Sequence, residues 1–263
     1  MNLLDQIDEY FIRQEIKPRE SHYPSDASAC IRQLYYKWTG QAISDPITAG
    51  AIWKMKFGDA TEYIIIEALK GLGKDVVNQL GGKLRLVGLQ YPIGYRVDAL
   101  FQENNVLNGI EIKSSYGLGI KEIQQKGEPK PEHVKQIICY AYAADIPSWY
   151  LIYVGRDNGY RCMFHIEYNK EEDQTFINSH PVSYTFKSIL NIFFILETYL
   201  KAQQLPGADY LVAIKNGQIV DKFQKANKIY KTDWQCSYCS FKTSCWADTV
   251  LAYQRSDNSL MFQ

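Results

Sequence analysis

No stretch of this 263-residue chain is apolar for long enough to span a bilayer, which takes about 20 residues. The longest apolar runs, Ile189-Leu190 and Ile192 through Leu196, are short and separated by a polar residue. The opening residues, Met1-Asn2-Leu3-Leu4-Asp5-Gln6, lack the basic start, apolar centre and small-residue cleavage site of a secretory signal. The expectation is a cytoplasmic protein with no membrane partner.

Net charge is absent as well: 29 Lys and Arg face 29 Asp and Glu. That balance speaks against a uniformly basic coat for nucleic acid. A site that needs its own carboxylates would cancel lysines that contact phosphate, however, so the local distribution matters more. Lys121, Lys126, Lys130 and Lys135 form one basic cluster, and Lys215, Lys222, Lys225, Lys228 and Lys231 form a second. Both are compatible with solvated faces and with backbone contacts to a nucleic acid. A nucleotide-phosphate loop is missing too: Gly71-Leu72-Gly73-Lys74-Asp75 has neither the spacing nor the hydroxyl. ATP-driven unwinding would have to come from a partner. Cysteines number only six, and a cytosolic chain does not build a disulfide framework, so their clustering points to metal or redox chemistry.

What is present suits a soluble globular protein, with 46% hydrophobic and 22% charged residues. Apolar spacing predicts an amphipathic helix over 3–16, a short helix carrying Cys30, Leu34 and Tyr35 behind Ser25 or Asp26, and a long helix over about 52–69 ended by Gly71 and Gly73. Strands are expected over 83–90, 94–102 and 106–113, the last two forming a hairpin through Glu103-Asn104-Asn105. A helix over 131–144 follows, then strands over 149–154 and 160–168 joined at Asn158-Gly159, and a helix over 182–203. Beyond Pro206 the pattern weakens. No repeat or interdomain linker is visible, so the reading is a single α/β unit over 1–263.

In the expected strand ending Gly109-Ile110-Glu111-Ile112-Lys113, alternation puts Glu111 and Lys113 on one face and the isoleucines on the other. Pairing with the strand that carries Asp98 brings Asp98 beside Glu111. Two carboxylates at that range repel, and a divalent cation such as magnesium relieves them while keeping water that can attack a phosphodiester. Lys113 then lies within reach of that water and of the phosphate. An electrostatic role requires no shift of its pKa, whereas a role as base requires a lowered one. Glu-x-Lys on a half-exposed strand is common, and its company gives it weight: the expected helix that follows has His133, Gln136 and Tyr140 on one face.

Asp98, Glu111-Ile112-Lys113 and Gln136-Ile137-Ile138-Cys139-Tyr140, in that order, resemble the RecB-like branch of the PD-(D/E)XK nucleases. The resemblance implies a restriction-endonuclease-like core, a central mixed sheet flanked by helices, over about 50–204. It implies that Asp98 and Glu111 bind the catalytic Mg2+ or Mn2+ with the Ile112 carbonyl, that Lys113 supports hydrolysis, and that Gln136 and Tyr140 position the DNA strand. In that branch an upstream Gly-x-x-x-His helix completes the metal shell. The matching stretch here is Phe57-Gly58-Asp59-Ala60-Thr61-Glu62, with Glu62 at the histidine position. Glu is an acceptable magnesium ligand, although a glutamate on a helix is more often merely solvated.

Cys236-x2-Cys239-x5-Cys245 supplies three thiolates and leaves one ligand wanting. The segment Ser28-Ala29-Cys30-Ile31-Arg32-Gln33-Leu34-Tyr35-Tyr36 resembles the N-terminal cysteine segment of iron-staple nucleases, which include the AddB nuclease domain and the CRISPR-associated RecB-like exonucleases. That resemblance implies a [4Fe–4S] cluster on Cys30, Cys236, Cys239 and Cys245, held by segments over about 25–40 and 230–250 and joining the N- and C-terminal helical parts. Zinc is the competing occupant of a four-cysteine site. Bridging the chain's ends would stabilise the fold by on the order of 5 kcal/mol in the loop-closure picture. Cys139 and Cys162 read as small core residues; His22, His165 and His180 have no ligand-like company, and His133 suits either a phosphate contact or the surface.

The resemblance therefore implies a DNA exonuclease acting on single strands or free ends, in the company of a helicase, recombination or CRISPR-adaptation partner. The alternatives are a non-catalytic DNA-binding or assembly subunit on the same scaffold, and a zinc-stabilised protein of another fold.

Overall fold

The computed structural model describes residues 2–12, 19–216, 218–225 and 228–247. Residues 13–16 of the first expected helix and 248–250 of the expected cluster segment lie outside them. The chain begins with α1 (Leu3–Ile12), a 3-10 turn (Pro24–Ser28), α2 (Ile31–Thr39) and the long α3 (Ala49–Gly71). Five strands follow: β1 (Val76–Asn78), β2 (Gly81–Leu84), β3 (Ile93–Arg96), β4 (Ala99–Glu103) and β5 (Val106–Ser115). Helices α4 (Gly117–Lys126) and α5 (Pro131–Ala144) cross over to β6 (Ser148–Gly155), which continues into β7 (Arg161–Asn169), β8 (Gln174–Ile177) and β9 (His180–Val182). Helix α6 (Phe186–Ala202) leads to two small hairpins, β10 (Ala213–Lys215) with β11 (Gln218–Val220) and β12 (Lys222–Lys225) with β13 (Lys228–Lys231). A short α7 (Trp234–Ser237) and a helical stretch over 242–247 end the described chain.

Seven strands form one sheet in the order β1-β4-β5-β6-β7-β8-β9. Only the β5–β6 pair is parallel, because the α4–α5 crossover returns the chain to the same end of the sheet. This is the expected mixed sheet between helices. On one face Ile110 and Ile112 pack with Ile66 of α3, Ala99 and Phe101. On the other, Trp149 and Leu151 pack with Val134, Ile137 and Ile138 of α5 and with Phe186, Ile189 and Phe193 of α6. Among the described residues no helix is long and apolar enough to cross a membrane.

Several elements depart from the expected spans for identifiable reasons. The expected strand over 94–102 is two strands. Val97 N–H donates to Leu80 O (2.9 Å) and Gln79 N–H donates to Asp98 O (3.1 Å), so the chain leaves β2 there and passes to β1 and β5. The strand expected over 83–90 stops at Leu84; Leu89 N–H closes a turn onto Leu86 O (3.3 Å) through Gly88, whose φ of +93° suits glycine. Helix α6 starts at Phe186 rather than at 182, since Thr185 and Ser188 cap each other and Asp173 accepts the Phe186 and Lys187 amides at 2.6 and 3.0 Å. The α4 helix and the β8–β9 hairpin were not legible in the periodicity. Neither Ser25 nor Asp26 caps α2, which starts after Cys30, and the Ile31 amide donates to Asp209 Oδ2 at 2.7 Å. The β4–β5 hairpin is as expected: Asn104 and Asn105 both take φ near +50 to +63°, the type I′ geometry that matches strand twist.

Candidate functional site

Glu111 lies on the inner part of β5, paired in register with Leu151 of β6, and its side chain is 1% exposed. Alternation puts Lys113 on the same face, toward α5, while Ile110 and Ile112 face α3. The β4–β5 ladder ends at the Ala99–Ile110 pair, leaving the next stretch of the β5 edge without a strand. Asp98, at the bend before β4, fills that edge by accepting the Ile112 amide at 2.7 Å. A strand residue's N–H and C=O leave by the same edge, so the Ile112 carbonyl also opens on the side of Asp98. Glu62, on α3 one turn before Ile66, is half-buried, and its charge acts on both Asp98 and Glu111.

The acids are held in an unfavourable environment. Burial, followed by the Glu111 charge and then Glu62, pushes Asp98 up to about 8, against the pull of the Ile112 amide and Lys113. Burial raises Glu111 also, with Lys113 opposing. Burial works to lower Lys113, but Glu111 and Asp98 outweigh it, and the net direction is upward. Lys113 Nζ lies 2.5 Å from Glu111 Oε1 and donates to Gln136 Oε1 at 3.0 Å. Gln136 Nε2 in turn donates to Tyr140 Oη at 2.6 Å. One oxygen is left over: Glu111 Oε2 is buried with no hydrogen-bond partner among the described residues.

The fold thus gathers all the residues singled out on β5 and α5, with Asp98 and Glu62 beside them. His133, one turn before Gln136, stands 2.8 Å by its Nδ1 from Tyr153 Oη, which also accepts the Lys130 amide at 3.0 Å. Burial, with the Lys113 and Lys130 charges, pushes His133 down to about 3, so it is neutral. His22 is no ligand either: it is buried, stacks on Phe193 and bonds Glu197 at 2.8 Å.

Cys30, Cys236, Cys239 and Cys245 line one cavity of about 270 Å3, together with Tyr210 and Trp246. Burial and the neighbouring thiols push Cys236 up to about 12. Burial pushes Cys245 up to about 11, with Arg32 pulling the other way. Cys139 is buried in the core and Cys162 is half-buried against it. Around the four thiols lies a set of bonds that sequence spacing did not announce. Asp45 accepts Thr243 N–H and Oγ–H at 2.7 and 2.9 Å, capping the 242–247 helix that carries Cys245. Ser44 and Asp45 amides donate to Ser240 O at 3.1 and 3.0 Å. Asp45 and Thr243 lie far apart in the chain, so no local motif could have paired them.

No protein-family profile matches this chain, and no curated protein matches it. Among solved structures, the crystal structure of SSO0001 superposes with a TM-score of 0.54 at 17% identity, over 93% of this chain and 96% of that one. The chain shares its fold with SSO0001. An alkaline exonuclease, LHK-Exo from Laribacter hongkongensis, gives a TM-score of 0.48 at 15% identity, over 74% of this chain and 93% of that one. Its complex with dAMP also gives 0.48, at 17% identity, over 70% and 89%.

Among the described residues no group of three or more His, Cys, Asp or Glu side chains is placed so that it could hold a metal ion. The donor chemistry is nevertheless apt. An unbonded buried carboxylate oxygen beside a second acid is suited to a hard divalent cation, and four thiols around one cavity are suited to a soft centre.

Proposed function

We propose that this protein is a metal-dependent DNA nuclease that hydrolyses phosphodiester bonds at single strands or free ends, with a structural [4Fe–4S] cluster on Cys30, Cys236, Cys239 and Cys245. The observation that carries the proposal is the buried, unbonded Glu111 Oε2 beside Asp98, whose carboxyl is pushed up to about 8 by burial and by the Glu111 charge. A fold that needed these acids only for packing would do better with apolar residues. Asp98 and Glu111, with Glu62 and the Ile112 carbonyl, would hold Mg2+ or Mn2+. When bound, such a cation supplies an activated water and polarises the phosphate.

The chain's own groups divide the remaining work. Lys113, paired with Glu111 and donating to Gln136, would neutralise charge on the phosphate, and the upward push of Glu111 on its pKa is the wrong direction for a base. Gln136 aims the lysine and is itself fixed by Tyr140, so the two position the strand and its charge partner together. The cysteines do no hydrolysis: they fasten α2 to the C-terminal segment. The partners would be DNA and a helicase, recombination or CRISPR-adaptation complex.

The test uses end-labelled linear and circular DNA, single- and double-stranded, with Mg2+ or Mn2+. Cleavage of linear single strands that is lost in Lys113→Ala, with circles spared, supports the proposal. Tight DNA binding without cleavage on any substrate would favour a binding subunit on a nuclease scaffold. For the cluster, anaerobically purified protein should be brown and contain iron and sulfide; stoichiometric zinc alone would reject that assignment.

A further inference from the structure

Beyond the carboxylates, β5 ends at Ser115 and the chain enters α4 through Tyr116, whose side chain is 60% exposed. The backbone around it is pinned. Arg156 N–H donates to Ser115 O at 2.9 Å, Gly117 N–H to Asp157 Oδ1 at 2.6 Å, and Ile120 N–H to Tyr116 O at 3.1 Å. The pinning leaves no slack at Gly117, where a Cβ would come within 1.9 Å of the Asn158 side chain. An exposed aromatic ring on so rigid a mount gains nothing for the core.

Two cations share this ring. Lys54 Nζ lies 5.9 Å and Arg156 Cζ 5.8 Å from its centroid, and Arg156 Nη1 donates to Lys54 O at 2.6 Å, joining the β6–β7 turn to α3. Lys54, Gly58 and Glu62 follow one another at i, i+4 spacing along α3. Glu62 acts on Asp98 and Glu111, Gly58 faces Ser114, and Lys54 reaches Tyr116. A seam therefore runs from the acids to the ring over two helical turns, about 12 Å of helix axis.

Single-stranded nucleic acid is bound by exposed rings that stack bases and by cations that take the backbone. We propose that Tyr116 is a stacking platform for a base of single-stranded DNA, with Lys54 and Arg156 on the flanking phosphates, and that the strand continues along the α3–β5 seam to the carboxylates. This rests on the nuclease reading and adds to it a strand path and a reason for single-strand preference.

The test is binding of a 5′-labelled oligothymidylate carrying one 2-aminopurine, with Ca2+ in place of Mg2+, alongside steady-state cleavage with Mg2+. Tyr116→Ala should weaken single-strand binding about tenfold, abolish the stacking quench of 2-aminopurine at one position, and raise KM with little change in kcat. Tyr116→Phe should keep the quench, and Lys54→Ala should weaken binding and flatten its salt dependence. A duplex of equal length should be indifferent to Tyr116→Ala. A wild-type protein that cleaves, with Tyr116→Ala binding and quenching as wild type does, overturns the platform and spares the nuclease. A wild-type protein that neither binds nor cleaves single strands overturns both. If Tyr116→Ala melts early, Tyr116→Phe and Lys54→Ala decide the matter by the quench and the salt slope.

Discussion

Glu111 and Asp98 have opposite shortages. Glu111 has an oxygen with no donor, and Asp98 has a charge that burial and its neighbours suppress. Because Asp98 is raised to about 8 in the fold, well above an ordinary carboxylate near 4, the folded protein binds a proton that the unfolded chain has released. Stability without metal therefore falls as pH rises through that window. Burial lowers His22 and His133, so they act on stability below their ordinary value near 6.5 and leave the upper part of the window to Asp98. Thermal melts should drop between pH 6.5 and 8.5 and recover most strongly with Mn2+ at the alkaline end; a flat metal-free profile would contradict this. Glu62→Gln should weaken Mn2+ binding roughly tenfold, as removal of supporting groups typically does, while the melting temperature in chelator holds or rises. Unchanged Mn2+ affinity, measured by calorimetry, would return Glu62 to the role of a solvated helix residue.

At the scale of elements, the site depends on close packing between β5 and β6. Gly109 pairs with Trp149, and a Cβ there would lie 2.2 Å from the indole ring, which is fully buried. Gly109→Ala should cost on the order of 1–3 kcal/mol, visible in denaturant unfolding, and should reduce cleavage by shifting Glu111 two residues on. Asp45→Ala removes the cap of the 242–247 helix; a loss of about 1 kcal/mol is expected, with faster loss of iron on chelator challenge.

These elements also show what sequence makes legible. Period-two alternation in β5 and helical spacing in α5 announce Glu111, Lys113, Gln136 and Tyr140, because each is set by local geometry. The strand pattern predicts Asp98 inside a strand, but it sits at a bend imposed by Gln79 and Leu80, in the link between β1 and β2. Asp45, Asp209 and the Tyr116 cations act across long sequence separations, for which one sequence carries no periodic signal.

For the whole molecule, the Ser44 and Asp45 bonds hold the loop after α2 against the C-terminal segment, and the four free thiols line the cavity beside it. The carboxylates lie on β5 and its flanks, in the middle of the sheet. Cys30→Ser should lower iron content and melting temperature, and cleavage at low temperature should survive longer than stability does. Full retention of iron in that variant would remove Cys30 from the ligand set.

On this reading the Asp98–Glu111 pair holds a metal for DNA hydrolysis. The most direct measurement is the rate of cleavage of an end-labelled single strand with Mn2+, in wild-type protein and in Glu111→Gln, which keeps shape and removes charge. Metal-dependent cleavage that falls by about a thousandfold or more in the variant, in line with loss of a major electrostatic contribution, is the predicted result. Equal rates in the two proteins, or a wild-type rate that is indifferent to chelator, would contradict it.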